Sequence, residues 1–184
     1  MWKKYIGLLI LCCMTLAGCG KETATDWLAY QQSALTIDGV FDLNGETLEA
    51  DIELAAPEYD GEGRMLARSA KVTFGDNSLV AGISFEFDGE EAYVVSGVLK
   101  IPLEDETLIG GITDMISLFC ISPDSFWEAE ETELDGQSCV KAVYVDGEDS
   151  VEVLIDPESM LPMRITATLG EEQLSAEIRA ITAE

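Results

Sequence analysis

Alternation between apolar and polar residues dominates the chain from Leu35 onward and predicts β-strands. The clearest run is residues 48–54, where four apolar residues alternate with three acids. Because successive side chains of a strand point to opposite faces, this run places its apolar residues on one face and its acids on the other. Asn44-Gly45 precedes the run and is a strong signal for a two-residue hairpin turn. The sequence therefore predicts half-buried strands joined by tight turns.

The same alternation recurs along most of the chain. Further strand-like runs occupy residues 70–74, 83–87, 93–103, 139–145, 151–155, 163–169 and 174–182. Asp88-Gly89, Asp135-Gly136 and Asp146-Gly147 mark turns between such runs. Strands that repeat at this spacing and are joined by short turns indicate an antiparallel meander, here of about eight to ten strands.

Residues 105–121 interrupt the strands with a helical period. Their apolar residues fall on one stripe, which comprises Leu108, Ile112, Met115, Ile116 and Phe119. Acids at 104–106 suit the positive end of a helix dipole, and the Ser-Pro pair at 122–123 ends the helix. A helix with one apolar face must cover an apolar partner, and the predicted sheet is the only large one. The expected fold is mainly β (α+β), with a long curved antiparallel sheet and the helix packed on its concave face.

The sequence also predicts a short N-terminal helix, an acidic loop and a weak point in the inserted helix. Residues 26–34 predict a short helix that Thr25 or Asp26 could cap, with Trp27 in the core. Residues 57–67 form an acidic loop that we expect to be exposed. Gly110-Gly111 lies inside the predicted helix and costs about 1 kcal/mol per glycine relative to Ala. This weak point would let the helix either bend or pack very close to the sheet.

The start of the chain follows the pattern of an exported protein. Lys3 and Lys4 precede an apolar run at residues 5–16, which is shorter than the about 20 apolar residues that span a bilayer. Leu16-Ala17-Gly18-Cys19 resembles the lipobox of bacterial lipoproteins. The resemblance implies a signal peptide at residues 1–18, a lipidated Cys19, a tether over residues 19–25 and one domain over residues 26–184. Two or three acyl chains give stable anchoring, so we expect an extracytoplasmic protein on the outer face of the cell membrane.

Acidic residues far outnumber basic ones. The chain has 36 Asp and Glu but only 10 Lys and Arg, and residues 1–18 contain two of the basic residues and no acid. Nucleic acids are bound through clustered Lys and Arg, so we expect no nucleic-acid partner. Solvation of an extracellular surface accounts for the acids; the alternative is a diffuse affinity for Ca²⁺, although no segment has the ligand spacing of an EF-hand.

Histidine is absent from the chain. Its absence excludes Ser-His-Asp and Cys-His nucleophiles, His-containing zinc sites and most acid–base chemistry that depends on imidazole. A carboxylate pair could still support hydrolysis, but with 36 acids such a pair arises by chance. We therefore expect a protein that is not an enzyme and that uses neither a metal nor a cofactor.

Two cysteines remain beyond the proposed lipidation site. Cys120 and Cys139 could form a disulfide, because exported proteins meet an oxidising environment. The alternative is that both are buried free thiols that pack as small apolar residues.

The order of the elements resembles that of a known superfamily. A short N-terminal helix, a long meander, one inserted helix and further strands occur in the half-open β-barrel of the LolA/LolB lipoprotein-carrier superfamily. Residues 155–165 read Ile-Asp-Pro-Glu-Ser-Met-Leu-Pro-Met-Arg-Ile, which is similar to a strand–turn–strand motif of that family. More narrowly, the chain is similar to uncharacterised Clostridia-type lipoproteins. Carriers of the family hold an arginine inside the cavity, and the sequence matches neither Arg64 nor Arg68 to it.

The resemblance implies that a lipid or acyl chain binds between the sheet and the helix. The candidate lining residues are Phe85, Phe87, Leu108, Ile112, Met115, Ile116 and Phe119. The alternative is that these side chains fill a closed core. A second hypothesis is a regulatory lipoprotein that docks an envelope protein, such as a spore-germination or cell-wall enzyme, with its acidic face steering a basic partner.

Overall fold

A computed structural model describes residues 27–62, 65–75, 81, 83–89 and 91–184. Its strands are β1 (Leu35–Leu43), β2 (Glu46–Leu54), β3 (Ala70–Phe74), β4 (Ser84–Phe87), β5 (Ala92–Ser96), β6 (Leu99–Pro102), β7 (Phe126–Leu134), β8 (Gln137–Asp146), β9 (Asp149–Ile155), β10 (Pro162–Leu169) and β11 (Glu172–Ala183). Among the described residues, the α-helix α1 (Glu106–Ser117) lies between β6 and β7, and short 3-10 helices cover Ala29–Gln32 and Pro123–Ser125.

The strands form one curved, open antiparallel sheet of eleven strands. Their order is β6-β5-β4-β3-β2-β1-β11-β10-β9-β8-β7. Two meanders therefore meet where β1 pairs with β11, which leaves β6 and β7 as the two free edges. The segment that contains α1 connects these two edges and must therefore cross the sheet. The helix contacts the central strands β1 and β11. The predicted mainly β fold with a helix on the concave face of a half-open barrel is confirmed.

The predicted alternation puts one face of each strand in the core. In β2, Ala50, Ile52 and Leu54 are buried while Asp51 and Glu53 are exposed. The Asn44-Gly45 turn that precedes β2 has positive φ at both residues, 56° and 90°. A type I′ hairpin needs this conformation, and Asn and Gly adopt it most readily. The local sequence thus fixes the β1–β2 register and, with it, which side chains enter the core.

The predicted strand number was too low, for two reasons. Residues 93–103 form two strands, because the chain turns at Gly97, where φ is 61°. Strand β7 was missed because most of its side chains are exposed and it carries four glutamates, so it lacks apolar alternation. Charged side chains on a free edge oppose pairing with other chains, which accounts for this composition.

The predictions for the start of the chain lie outside the described residues. These are the signal peptide at 1–18, the lipidated Cys19, the tether at 19–25 and the cap by Thr25 or Asp26. Among the residues that are described, no helix is both long and apolar enough to cross a membrane. Trp27 is buried in the core, as predicted.

Candidate functional site

The candidate site is the interface between α1 and the concave face of the sheet. Asp105 caps the helix, and its carboxylate accepts hydrogen bonds from the backbone N–H of Thr107 (3.1 Å) and Leu108 (3.0 Å). This cap starts the helix in the register that turns its apolar stripe toward the sheet. Ile112, Met115 and Ile116 are consequently buried.

The predicted lining residues all join one hydrophobic core. Five of them are buried in it: Phe85, Ile112, Met115, Ile116 and Phe119. Phe87 and Leu108 are partly buried and pack against it. The Phe119 ring meets Phe41 of β1 edge-on, at 6.5 Å between centroids, and Phe85 meets Phe74 similarly at 5.5 Å. These side chains belong to or pack against the filled core, and ligand binding by them stays a prediction.

The glycine pair in α1 is not required by close packing. A Cβ atom added to Gly110 would meet nothing within 4 Å. One added to Gly111 would lie 3.7 Å from Leu43 Cδ1, an ordinary van der Waals contact. Of the two consequences considered for this pair, very close packing on the sheet does not fit the structure, and a bend in the helix stays a prediction.

Arg68 lies at the C-terminal end of α1 and is only 3% exposed. Its Nε donates a hydrogen bond to the Ala55 carbonyl (2.7 Å) and its Nη2 to the Ser33 carbonyl (2.7 Å). Its Nη1 donates to the carbonyls of Gln31 (3.3 Å) and Phe119 (3.5 Å). One side chain thus joins the end of β2 to the N-terminal 3-10 helix and to the turn after α1. We call α1, the N-terminal 3-10 helix and the turn after α1 together the cover.

The charge of Arg68 is balanced by backbone dipoles. Within the described part of the chain, no ion pair includes Arg68. Burial lowers the pKa of the guanidinium below its usual value, and the neighbouring Cys120 thiol opposes this shift. Leaving a buried cation without acceptors costs free energy. The carbonyls of the cover therefore stabilise the buried guanidinium, and its hydrogen bonds in turn fix the position of the cover.

Sequence reasoning did not assign this role to Arg68. A signal was present: Arg68 stands two, four and six residues before Ala70, Val72 and Phe74, which all face the core. Period two therefore points residue 68 inward as well. Arg64 lies outside the described residues.

Cys120 and Cys139 are free thiols in this structure, which is the second of the two alternatives that the sequence left open. Cys139 is buried in β8, whereas Cys120 is half-buried after α1. Burial raises the pKa of the Cys120 thiol, and Arg68 partly opposes the shift. Burial also raises the pKa of the Cys139 thiol. Both thiols therefore favour the protonated form, which is a poor nucleophile, and the alternative of small packing residues fits the structure.

Two buried polar atoms have no hydrogen-bond partner among the described residues, namely Trp27 Nε1 and Tyr144 Oη. Tyr144 is 1% exposed, and its ring packs edge-on against Phe126. Burial raises the pKa of Tyr144, and Tyr30 adds to the shift. Tyr30 accepts a long hydrogen bond (3.4 Å) from Gln31, and burial raises the pKa of its hydroxyl while Gln31 and Arg68 oppose the shift. Tyr30, Gln31 and Tyr144 are thus polar side chains buried in an otherwise apolar interior.

Metal-binding clusters are not found in the part of the chain that the structure describes. A cavity of about 460 Å³ includes the predicted lining residue Phe87. One of about 530 Å³ is lined by residues of the 55–69 segment and by Asp88 and Gly89. Another of about 380 Å³ is bounded by Gln31, Tyr59, Cys120 and their neighbours.

No protein-family model and no curated protein sequence matches the chain. Among solved structures it is similar to MucB of Pseudomonas aeruginosa, with 14% identity and a TM-score of 0.50 over 89% of this chain and 60% of MucB. The chain thus spans about three fifths of MucB, and the match shows a shared fold. Lipoprotein LppX of Mycobacterium tuberculosis (12% identity, TM-score 0.41, 86% and 94% covered) is also similar. So is a LolA superfamily protein of Nitrosomonas europaea (9%, 0.37, 88% and 94%).

Proposed function

We propose that this protein is a membrane-anchored extracytoplasmic lipoprotein that binds a lipid or acyl chain between its sheet and α1, without catalysing a reaction. The observation that carries the proposal is the position of α1. It joins the two free edges of an open sheet and covers the concave face with an apolar stripe. Lifting such a cover would expose a continuous apolar surface, which suits an acyl chain.

The structure described here corresponds to the closed state of that proposal. Leu108 is half-buried and Gly110 has open space beside it, so the N-terminal half of α1 is the part that can move. The C-terminal end is fixed by Phe119 and Arg68. We expect a ligand to enter under the N-terminal half, displacing Leu108 and Ile112 from the sheet.

Anchoring rests on the lipobox-like sequence alone. Cys19 would carry the acyl chains, and the closeness to Clostridia-type lipoproteins stays a prediction. Incorporation of labelled palmitate in the native host measures the modification directly, with Cys19→Ala as the matched variant. We expect label in the wild type and none in Cys19→Ala; label in both would show that the lipid is elsewhere.

Ligand binding is tested by native mass spectrometry of the full chain purified from membranes. Acyl chains on Cys19 are covalent and stay on the protein under collisional activation, whereas a bound lipid is ejected. We expect one ejected lipid per protein. If no lipid is ejected, and no apolar dye binds saturably, the binding proposal is wrong.

The free edge at β7 favours the docking of an envelope protein as a second candidate function. Trp127 is 70% exposed there. The exposed glutamates on this strand are Glu128, Glu130, Glu131 and Glu133, and Glu130 also pairs with Lys141 at 2.6 Å. An acidic edge would steer a basic partner. Capture from the native envelope that is lost when the glutamates become glutamines, but persists in Cys19→Ala, would support this candidate.

A further inference from the structure

The two free edges of the sheet differ in the backbone groups that they offer. At the β6 edge, the Gly97-Val98 turn makes its flanking residues a hydrogen-bonded pair, and bonded and non-bonded pairs alternate from there along the ladder. Pro102, opposite Tyr93, is therefore in a non-bonded pair, and its nitrogen, which has no hydrogen to donate, faces away from β5. With only four residues, β6 is poorly suited to pairing with a further strand.

The β7 edge, in contrast, offers free donors and acceptors. Among the described strands, β7 pairs only with β8. The residues that flank the Asp135-Gly136 turn are a hydrogen-bonded pair, so Ala129, Glu131 and Glu133 fall in non-bonded pairs. Their backbone N–H and C=O groups consequently point away from β8. All three residues are exposed, and the strand contains no proline.

Two acids accompany these backbone groups on the core-side face of the edge. Glu131 is opposite the buried Val140, so Glu131 and Glu133 both extend from that face. Within the described part of the chain, neither forms a salt bridge, whereas Glu130 on the other face pairs with Lys141. A strand added at this edge would therefore meet two carboxylates that have no cationic partner there.

The charge of the β7 edge selects among possible strands. It repels a second copy of this chain, which has 36 Asp and Glu but only 10 Lys and Arg. It attracts a strand with basic residues at alternate positions, because opposite charges directly across a ladder stabilise the pair. In strand addition, backbone hydrogen bonds give the affinity and alternate side chains give the specificity.

We propose that β7 binds an extended basic segment of an envelope protein as an additional strand of the sheet. This inference rests on the second candidate function and specifies the partner and the mode of binding. The segment would hydrogen bond to the backbone of Ala129, Glu131 and Glu133. Its basic side chains at alternate positions would lie opposite Glu131 and Glu133. Neither α1 nor the proposed lipid site needs to move.

The test titrates synthetic peptides of alternating Lys and Val into the full chain at low salt, with fluorescence anisotropy as the readout. One peptide is N-methylated at its lysines, whose amides would face β7, and another at its valines, whose amides would face solvent. We expect methylation of the lysines to weaken binding at least about 10-fold and methylation of the valines less than about threefold. Equal weakening by both would overturn strand addition and leave the second candidate function standing. If the unmethylated peptide does not bind, both are wrong.

Charge variants locate the peptide on the edge. Glu131→Gln/Glu133→Gln should weaken binding of the unmethylated peptide about fivefold. The control Glu148→Gln/Glu171→Gln removes the same charge from two exposed turns and should change the affinity less than about twofold. Equal weakening in the two double variants would contradict binding at β7.

A backbone variant tests the edge itself. Ala129→Pro removes one outward N–H without breaking a bond to β8, as Pro102 does at the other edge. We expect it to weaken peptide binding about threefold or more. Unchanged affinity in a folded Ala129→Pro would overturn the proposal, and if this variant does not fold, the methylated peptides decide on the wild type. Self-association of the wild type that is lost in Ala129→Pro would instead assign the edge to a second copy.

Discussion

The two ends of α1 are held in different ways. At the N-terminal end, Glu106 and Thr107 are exposed and Leu108 is half-buried, so the cap by Asp105 is the main local constraint. At the C-terminal end, Met115 and Phe119 are fully buried, and Arg68 hydrogen bonds to the carbonyl of Phe119. The helix is therefore fixed at its C-terminal end and weakly packed at its N-terminal end, and Gly110-Gly111 lies between the two parts.

The largest expected effect comes from truncating the fixed end. Phe119→Ala removes a ring that packs on Phe41 and should lower the free energy of unfolding by about 3–5 kcal/mol. Leu108→Ala, the matched change at the other end, should cost only about 1 kcal/mol because the side chain is half-exposed. Urea denaturation of both variants measures the difference. Equal losses would show that the two ends are held equally and would remove the basis of the comparison.

Arg68→Met should lower the free energy of unfolding by about 2–3 kcal/mol, because the carbonyls of Gln31, Ser33 and Phe119 lose their donor. We also expect more binding of an apolar dye, since the cover is released. The control is Arg164→Met, whose guanidinium is on the surface at 3.9 Å from Glu177 and should cost less than about 1 kcal/mol. Unchanged dye binding in Arg68→Met would argue against a role in holding the cover.

Asp105→Ala removes the side-chain cap of α1 and should cost about 1 kcal/mol. Because the cap acts only at the N-terminal end, amide hydrogen exchange should rise over residues 106–110 and stay unchanged over 115–119. The neighbour Glu104 is exposed and makes a suitable control as Glu104→Ala. Faster exchange along the whole helix in Asp105→Ala would mean that α1 moves as one unit.

Asp114 lies near the negative end of the helix dipole, and burial, followed by Glu172, raises the pKa of its carboxyl. A raised pKa in the folded protein means that the ionised carboxylate destabilises the fold at neutral pH. This penalty disappears as the pH falls through that raised value toward the ordinary pKa. Asp114→Asn should therefore stabilise by about 0.5 kcal/mol at pH 7 and give no advantage below about pH 4. Thermal denaturation at both pH values measures this, and a stabilisation that is the same at both would exclude the titration of Asp114 as its cause.

Local rules predicted most of the fold. Period-two runs, the Asn44-Gly45 turn and the stripe of α1 each report on short-range structure, so the sequence shows them directly. Strand β7 was not predicted because it lies at an exposed edge of the sheet. Its glutamates suit that edge, so the strand lacks the apolar alternation of a half-buried strand. The role of Arg68 depends on the carbonyls of Gln31, Ala55 and Phe119, which only the tertiary fold brings together. The sequence does show that Arg68 has the same period-two spacing as the core-facing residues of β3.

The central claim is that the N-terminal half of α1 must move for an acyl chain to bind. The most direct test is the rate of uptake of a fluorescent fatty acid by the full chain and by the double variant Gly110→Ala/Gly111→Ala, which stiffens the helix without a clash. The variant should be more stable by about 1–2 kcal/mol and should take up the ligand more slowly than the wild type. Uptake at the wild-type rate by a variant that is measurably more stable would contradict the claim.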